Sequence, residues 1–339
     1  MKKKYFIWIV WIISLFLGLL LVAGLSFCIG TQGVSFKEAP SLISVDLDLI
    51  SKSIFLDLRL PRILLGFAVG GALAIAGVIL QGMFRNVLVE PYSLGISGGA
   101  ALGVCLNLVL RLDAKIGALS FPVTGFLGAF SIIMAVYYLN SKKGILKLEG
   151  LLLTGVMISF ISSSLVMLLM AIARADNLNG IIFWIMGSLD ETNRQLVKIM
   201  VVVSLSGLTL TYFYSRDLNA LSLGEEEARN LGVNTTHLKK IVFVLASILT
   251  GCAVSICGVI GFVGLVVPHF MRMFVGFDHR VLLVTSFLSG GIFLIACDTI
   301  SRVIIYPLEL PVGVVTGILG GIVFIYALAK NKKIYFGGK

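Results

Sequence analysis

The side chains that could do chemistry in this 339-residue sequence are few and far apart. Its three histidines, His237, His269 and His279, show no metal-ligand spacing, and no Ser-His-Asp or paired-carboxylate arrangement is recognisable. No Gly-x4-Gly-Lys-Ser/Thr loop occurs, so the chain lacks the usual segment that cradles nucleotide phosphates. The sequence therefore predicts no enzymatic activity, no resident cofactor and no metal site, and any ATP chemistry must belong to a partner.

The five cysteines are predicted to be small packing residues rather than a disulfide frame or a zinc site. Each stands singly in apolar sequence, and no two are spaced as Cys-x-x-Cys. They are Cys28, Cys105, Cys252, Cys257 and Cys297.

The composition excludes a water-soluble protein. Hydrophobic residues make up 58% of the chain and charged residues only 13%, with a mean hydropathy of +1.04. Soluble domains normally carry about 25% charged residues. The apolar run that follows Lys2 to Lys4 is too long for a secretory signal, so it is expected to be a retained first helix.

Charged or Pro/Gly-rich breaks divide the chain into ten apolar segments. They lie at 7–30, 61–83, 93–110, 119–139, 150–172, 196–214, 241–261, 262–277, 281–300 and 312–329. A membrane-crossing helix needs about 20 mostly apolar residues. The predicted fold is therefore an all-α polytopic membrane protein of about ten transmembrane helices, in one domain over residues 1–339. The boundary between the seventh and eighth segments, at Gly258 to Gly264, is the least distinct in the sequence.

The net charge of +10 is a signal of topology rather than of nucleic-acid binding. With the amino terminus inside, most lysines and arginines fall in cytoplasmic loops, as the positive-inside rule requires. Both termini are therefore expected in the cytoplasm.

A short internal echo suggests that helices 2–5 and 7–10 form an inverted repeat, as in many transporters. Ile75, Gly77, Val78 and Ile79 match Ile256, Gly258, Val259 and Ile260 at a constant offset. Chance similarity between apolar segments remains the alternative.

The longest polar stretch, Leu218 to Lys240, is predicted to form a short cytoplasmic helix between two membrane helices. Ser222 and Glu225 have capping-box spacing, and Gly232 suits the helix end. Such a helix could serve as a lever for a soluble partner, while an ordinary solvated connector is the alternative.

Seven separate motifs, in order, resemble those of the FecCD/BtuC-type permeases of ATP-binding-cassette (ABC) importers. They are Leu58 to Arg62, Gly77 to Gln81, Asn86 to Pro91, Gly95 to Gly99, Gly224 to Val233, Gly261 to His269 and Glu309 to Gly313. The resemblance implies a homodimeric, lipid-embedded permease in a prokaryotic cell (inner) membrane. It also implies two ATPase subunits below the dimer and one extracytoplasmic substrate-binding protein above it.

The same resemblance implies roles for individual residues. The residues implied to couple to the ATPase are Gly224, Glu225, Ala228, Leu231 and Gly232. The arginines implied to receive acidic residues of the binding protein are Arg59, Arg62 and Arg302, and Asp298 is placed to pair with Arg302 on one helical face. For Arg59 and Arg62, interfacial anchoring is the alternative.

Two further assignments concern the substrate path. The family's narrow cytoplasmic gate corresponds to Asn86, Leu88 and the loop Lys147 to Gly150, which includes Glu149. Ser159, Ser162, Ser163 and Ser164 could line the path, although such hydroxyls can equally bond to helix backbones.

The function predicted is import of an iron-siderophore, haem or cobalamin-type metal chelate, with energy supplied by a separate ATPase. A secondary transporter driven by an ion gradient is the alternative, but it would be expected to hold ionisable coupling residues near the bilayer midplane. A non-transporting receptor or scaffold is a second alternative, against which the coupling-like helix argues.

Overall fold

A computed structural model describes residues 2–29, 54–117, 119–142, 145–146, 148–305 and 308–330. The helices are α1 Lys2–Cys28, α2 Leu60–Phe84, α3 Ile96–Leu110, α4 Leu112–Ile116, α5 Ser120–Asn140, α6 Leu148–Ile172, α7 Ala175–Met186, α8 Arg194–Phe213, α9 Ser215–Leu223, α10 Glu225–Asn230, α11 Thr235–Cys257, α12 Val263–Val275, α13 His279–Val303 and α14 Val312–Lys330. A π-helical turn at Ile54–Arg59, a 3-10 turn at Pro91–Leu94 and a hairpin of two-residue strands, β1 Ser141–Lys142 and β2 Ile145–Leu146, complete the described elements.

The predicted all-α polytopic fold is confirmed. Within the described ranges, seven helices are long and apolar enough to cross a membrane. Three shorter apolar helices, α3, α12 and α14, stand where the remaining predicted crossings were expected. Each of the ten predicted segments thus coincides with one apolar helix.

Helix α2 forms the centre of the structure. In its most apolar window 83% of the residues are buried, against 11% in α1, which lies at the periphery. Glycines let other helices approach α2 closely: a Cβ on Gly70 would overlap the backbone of Gly290 in α13, and a Cβ on Gly77 would overlap the carbonyl of Gly264 in α12. Close backbone contact replaces the hydrophobic drive that lipid cannot supply.

The helical structure is interrupted between α11 and α12, as the sequence predicted. Gly258 and Phe262 both have positive φ, at 69° and 68°. The loop after α2 satisfies backbone groups that the break frees: Phe262 N donates to Glu90 Oε1 at 2.7 Å, and Ile260 N donates to Tyr92 Oη at 3.2 Å. Polar side chains therefore hold this irregular segment within an apolar body.

The internal echo does not mark equivalent structure. Gly77 lies inside the continuous helix α2, whereas Gly258 follows the end of α11. Ile75 and Ile256 both lie in helices, but the other three matched pairs differ in local conformation. The echo therefore gives no support to an inverted repeat, which stays a prediction.

Candidate functional site

The predicted coupling segment consists of two short helices rather than one. Helix α9 ends at Leu223, Gly224 turns the chain with φ of 143°, and α10 runs from Glu225 to Asn230. The predicted capping box is wrong, because the Ser222 hydroxyl donates to Asn219 O at 2.7 Å within α9. Gly224 occupies the N-cap of α10 and makes no side-chain cap.

The end of α10 is as predicted. Gly232 has φ of 87°, its N–H donates to Arg229 O at 2.9 Å, and Val233 N donates to Ala228 O at 3.0 Å. These two bonds form a Schellman motif, which satisfies carbonyls at a helix end and favours glycine at the left-handed position. The glycine therefore fixes the angle between α10 and α11.

Glu225 is the polar centre of the coupling segment. Its carboxylate forms ion pairs with Lys239 of α11 and with Arg229, the latter at 2.6 Å. The Lys239 side chain is only 7% exposed, whereas that of Glu225 is 39% exposed. The hydrogen bond from Lys239 holds the pKa of the Glu225 carboxyl below its usual value. The pair thus joins α10 to the membrane helix α11.

The other predicted coupling residues differ in exposure. Ala228 is fully buried, so it packs α10 inward and presents no surface to a partner. Leu231 is 64% exposed and Leu223 is 65% exposed. Large apolar side chains at the ends of a polar loop suit contact with another protein.

Two residues that the sequence reasoning missed connect α9 to the membrane helices. Asn219 Nδ2 donates to Asp278 Oδ1 at 3.0 Å, and the backbone N of His279 donates to Asn219 Oδ1 at 2.8 Å. Asp278 caps α13, and hydrogen bonds from Arg280 hold the pKa of its carboxyl well below the usual range. The signal that could have identified Asp278 is an N-cap aspartate following Gly276.

On the opposite end of the helices, Arg302 and Arg59 are buried rather than free. Arg302 pairs with Asp298 at 3.1 Å, as predicted, and donates to Ser26 Oγ at 2.7 Å. Arg59 donates to Phe27 O at 2.7 Å and is 5% exposed. Both arginines therefore hold α1 in place, and their implied role in docking the binding protein stays a prediction.

Arg62 differs from those two arginines. Its guanidinium forms ion pairs with Asp190 and with Glu309, the latter at 2.8 Å, and its side chain is 17% exposed. The two carboxylates belong to separate loops, between α7 and α8 and between α13 and α14. Arg62 thus connects α2 to both loops and borders a cleft of ≈ 250 Å³.

The predicted gate residues lie at the protein surface, on the same side of the protein as the coupling segment. Asn86 Oδ1 accepts from Leu88 N at 2.9 Å, so Asn86 shapes its own loop, while Leu88 is 54% exposed. Glu149 is exposed in the first turn of α6, and Lys147 lies outside the described residues. The gate assignment stays a prediction.

The predicted pathway serines divide into two groups. The Ser159 hydroxyl donates to Gly155 O at 2.9 Å, and Ser162 is 2% exposed and faces Gly98. These two side chains contact neighbouring helix residues. Ser163 and Ser164 are exposed on α6.

Comparison with known proteins gives a consistent result. The model of the FecCD transport family matches residues 16–330. The hemin transport system permease protein of Yersinia pestis is 40% identical over 282 residues, covering 83% of this chain and 84% of the relative. The cobalamin import system permease protein of Halobacterium salinarum is 39% identical over 271 residues, covering 80% and 72%.

The fold has a solved counterpart. A structure of a transporter assigned to the metal-chelate type of ABC transporters, in an inward-facing conformation, superimposes with a TM-score of 0.83 at 32% identity. The match covers 95% of this chain and 99% of the other.

Proposed function

Since this chain belongs to the FecCD transport family, and so is a transport component rather than an enzyme, we propose that it imports a metal chelate with energy from a separate ATPase. Ferric siderophores, haem and cobalamin are the chelates proposed, and the similarity to hemin and cobalamin permeases supports this class. The working unit proposed is a homodimer in a prokaryotic cell membrane, with both termini cytoplasmic, two ATPase subunits and one extracytoplasmic binding protein.

The observation that carries this proposal is the way α10 is attached. A helix that transmits force must be rigidly linked to the membrane domain, and Glu225 reaches a lysine that is buried in α11. Asn219 supplies a second attachment, to the start of α13. Motion of an ATPase against α10 would therefore reach two membrane helices directly.

Few features favour the ion-gradient alternative. Two buried charged side chains among the described residues stand near helix ends, where Asp298 pairs with Arg302 and Arg272 bonds to Gln81. The buried His269, in the middle of α12, packs edge-on against the rings of Phe270 and Phe324. Coupling ions in secondary transporters bind near the bilayer midplane. Co-purification of the chain with its ATPase, and uptake that survives collapse of proton and sodium gradients, would test the choice. Uptake that stops with the gradients would overturn the proposal.

Arg62 is proposed as the docking arginine for the binding protein. We expect Arg62→Glu to weaken binding of that protein to the transporter by about tenfold, because opposite charges across an interface become like charges. The measurement is a binding titration in nanodiscs.

The matched control for Arg62 is Arg194→Glu. Arg194 lies on the same side of the protein, is 67% exposed and forms an ion pair with Asp57. Arg62→Gln, which removes the charge without adding a repulsive one, should give an intermediate affinity. Equal affinity in all three variants would show that Arg62 does not dock the binding protein and only holds the loops that carry Asp190 and Glu309.

A further inference from the structure

A second cleft opens beside the coupling segment, with a volume of ≈ 210 Å³. It lies between the last turn of α2, the last turn of α9 and the turn that joins α12 to α13. Its lining includes Arg85, Val87, Ser222, Arg272, Phe277 and His279. We call this space the coupling cleft.

The coupling cleft is basic. Arg85 and Arg272 line it, and no carboxylate is among its described lining residues. Arg272 is held in place by Gln81, whose Nε2 donates to Gly264 O at 3.1 Å and to Val89 O at 3.3 Å. Arginine suits carboxylates because its planar fork can donate two parallel hydrogen bonds.

The rim of the cleft presents an aromatic side chain to solvent. Phe277 is 68% exposed although it belongs to a short turn and not to a lipid-facing helix. Gly276, with φ of 84°, and the capping residue Asp278 fix its position. Aromatic residues and arginines are enriched at the buried centres of protein–protein interfaces.

The same turn is physically joined to the coupling segment. Asp278 and His279 both bond to Asn219 of α9, which continues through Gly224 into α10. A soluble partner that rests on α10 would therefore meet Phe277 on a surface continuous with it. This continuity favours a protein over a lipid headgroup as the occupant.

We propose that the coupling cleft is a second docking point for the ATPase subunit, with Phe277 as its apolar anchor and an ATPase carboxylate beside Arg85. The inference rests on the proposed function and adds a contact outside the helix that the family resemblance implied. It makes the turn between α12 and α13 a direct receiver of ATPase motion, in addition to α10.

The test is photo-crosslinking in the co-expressed complex of permease and ATPase. A benzophenone analogue of phenylalanine replaces Phe277 in one variant, Glu226 on α10 in a second and Phe160 on α6 in a third. Phe160 is 67% exposed in the middle of a membrane helix, so it serves as the matched control outside the proposed docking surface. We expect ATPase adducts from positions 277 and 226 and none from position 160.

The outcomes separate this inference from the function it rests on. An adduct from position 226 with none from 277, or with lipid adducts alone at 277, would overturn the second docking point and leave the ATPase partnership intact. No ATPase adduct at either position would contradict the partnership itself. As a further measure, Arg85→Glu should lower ATPase affinity by about tenfold relative to Arg216→Glu, an exposed arginine of α9. Equal ATPase affinities of the two variants would contradict the proposed contact between Arg85 and an ATPase carboxylate.

Discussion

Glu225→Lys is expected to lower ATP-driven uptake by about 30-fold. Removing one partner of a buried ion pair typically costs about 3–5 kcal/mol. Because the Glu225 side chain is 39% exposed, water offsets part of that cost, and about 2 kcal/mol remains. The new lysine would also repel Lys239, so α10 would lose its fixed link to α11. Uptake into proteoliposomes, normalised to the amount of folded permease, provides the measurement.

Two comparison variants make the Glu225 result specific. Glu225→Gln removes the carboxylate charge without placing a second lysine beside Lys239, and it should retain more uptake than Glu225→Lys. The exchange Glu225→Lys with Lys239→Glu restores opposite charges and should recover part of the loss. If Glu225→Lys transports as well as the unchanged protein, the ion pair with Lys239 does not link α10 to the membrane domain.

Gly77→Val should prevent the transporter from folding to a stable state. A Cβ at this position would overlap the carbonyl of Gly264, which is backbone and cannot rotate away. Separating α2 from α12 should therefore cost more than the roughly 1–3 kcal/mol of ordinary overpacking. Thermal unfolding and the yield of monodisperse protein in detergent are the measurements.

The control for Gly77 is the same substitution at Gly24 in α1. A Cβ at Gly24 would meet nothing within 4 Å, so Gly24→Val carries the helix-propensity cost of valine without the overlap. We expect near-normal yield and unfolding temperature for Gly24→Val. Equal behaviour of the two variants would contradict the close packing of α2 against α12.

The membrane helices could be predicted from the sequence because lipid imposes a simple requirement. Backbone groups in a bilayer must bond within a helix, so each crossing appears as a long apolar segment between polar breaks. Even the break near Gly258 was detectable, since glycines stand where helix-breaking conformations are needed. The family motifs then indicated the type of transporter.

Contacts between helices that are distant in the sequence could not be predicted. The sequence does not show that α1 packs over Arg59 and Arg302, with Phe27 and Ser26 as their partners. Ser222 had capping-box spacing, but α9 extends through it and uses its hydroxyl internally. Helix α7 was not predicted, because its 12 residues are too short and too polar at the start to resemble a crossing.

The contacts of Asn219 and the proposed role of Phe277 could not be predicted from the sequence for a different reason. Asn219 acts through Asp278, which is 59 residues away in the chain. The exposure of Phe277 depends on a turn that three elements hold in place. Such relationships are visible only once the helices are assembled.

The most direct measurement is chelate uptake into proteoliposomes that contain this chain and its ATPase, with the binding protein added outside. Ferric siderophores, haem and cobalamin would be offered separately, with and without ATP inside the vesicles. The proposed function predicts accumulation of one chelate that requires both internal ATP and the binding protein. Accumulation driven by an ion gradient in the absence of ATP would contradict it.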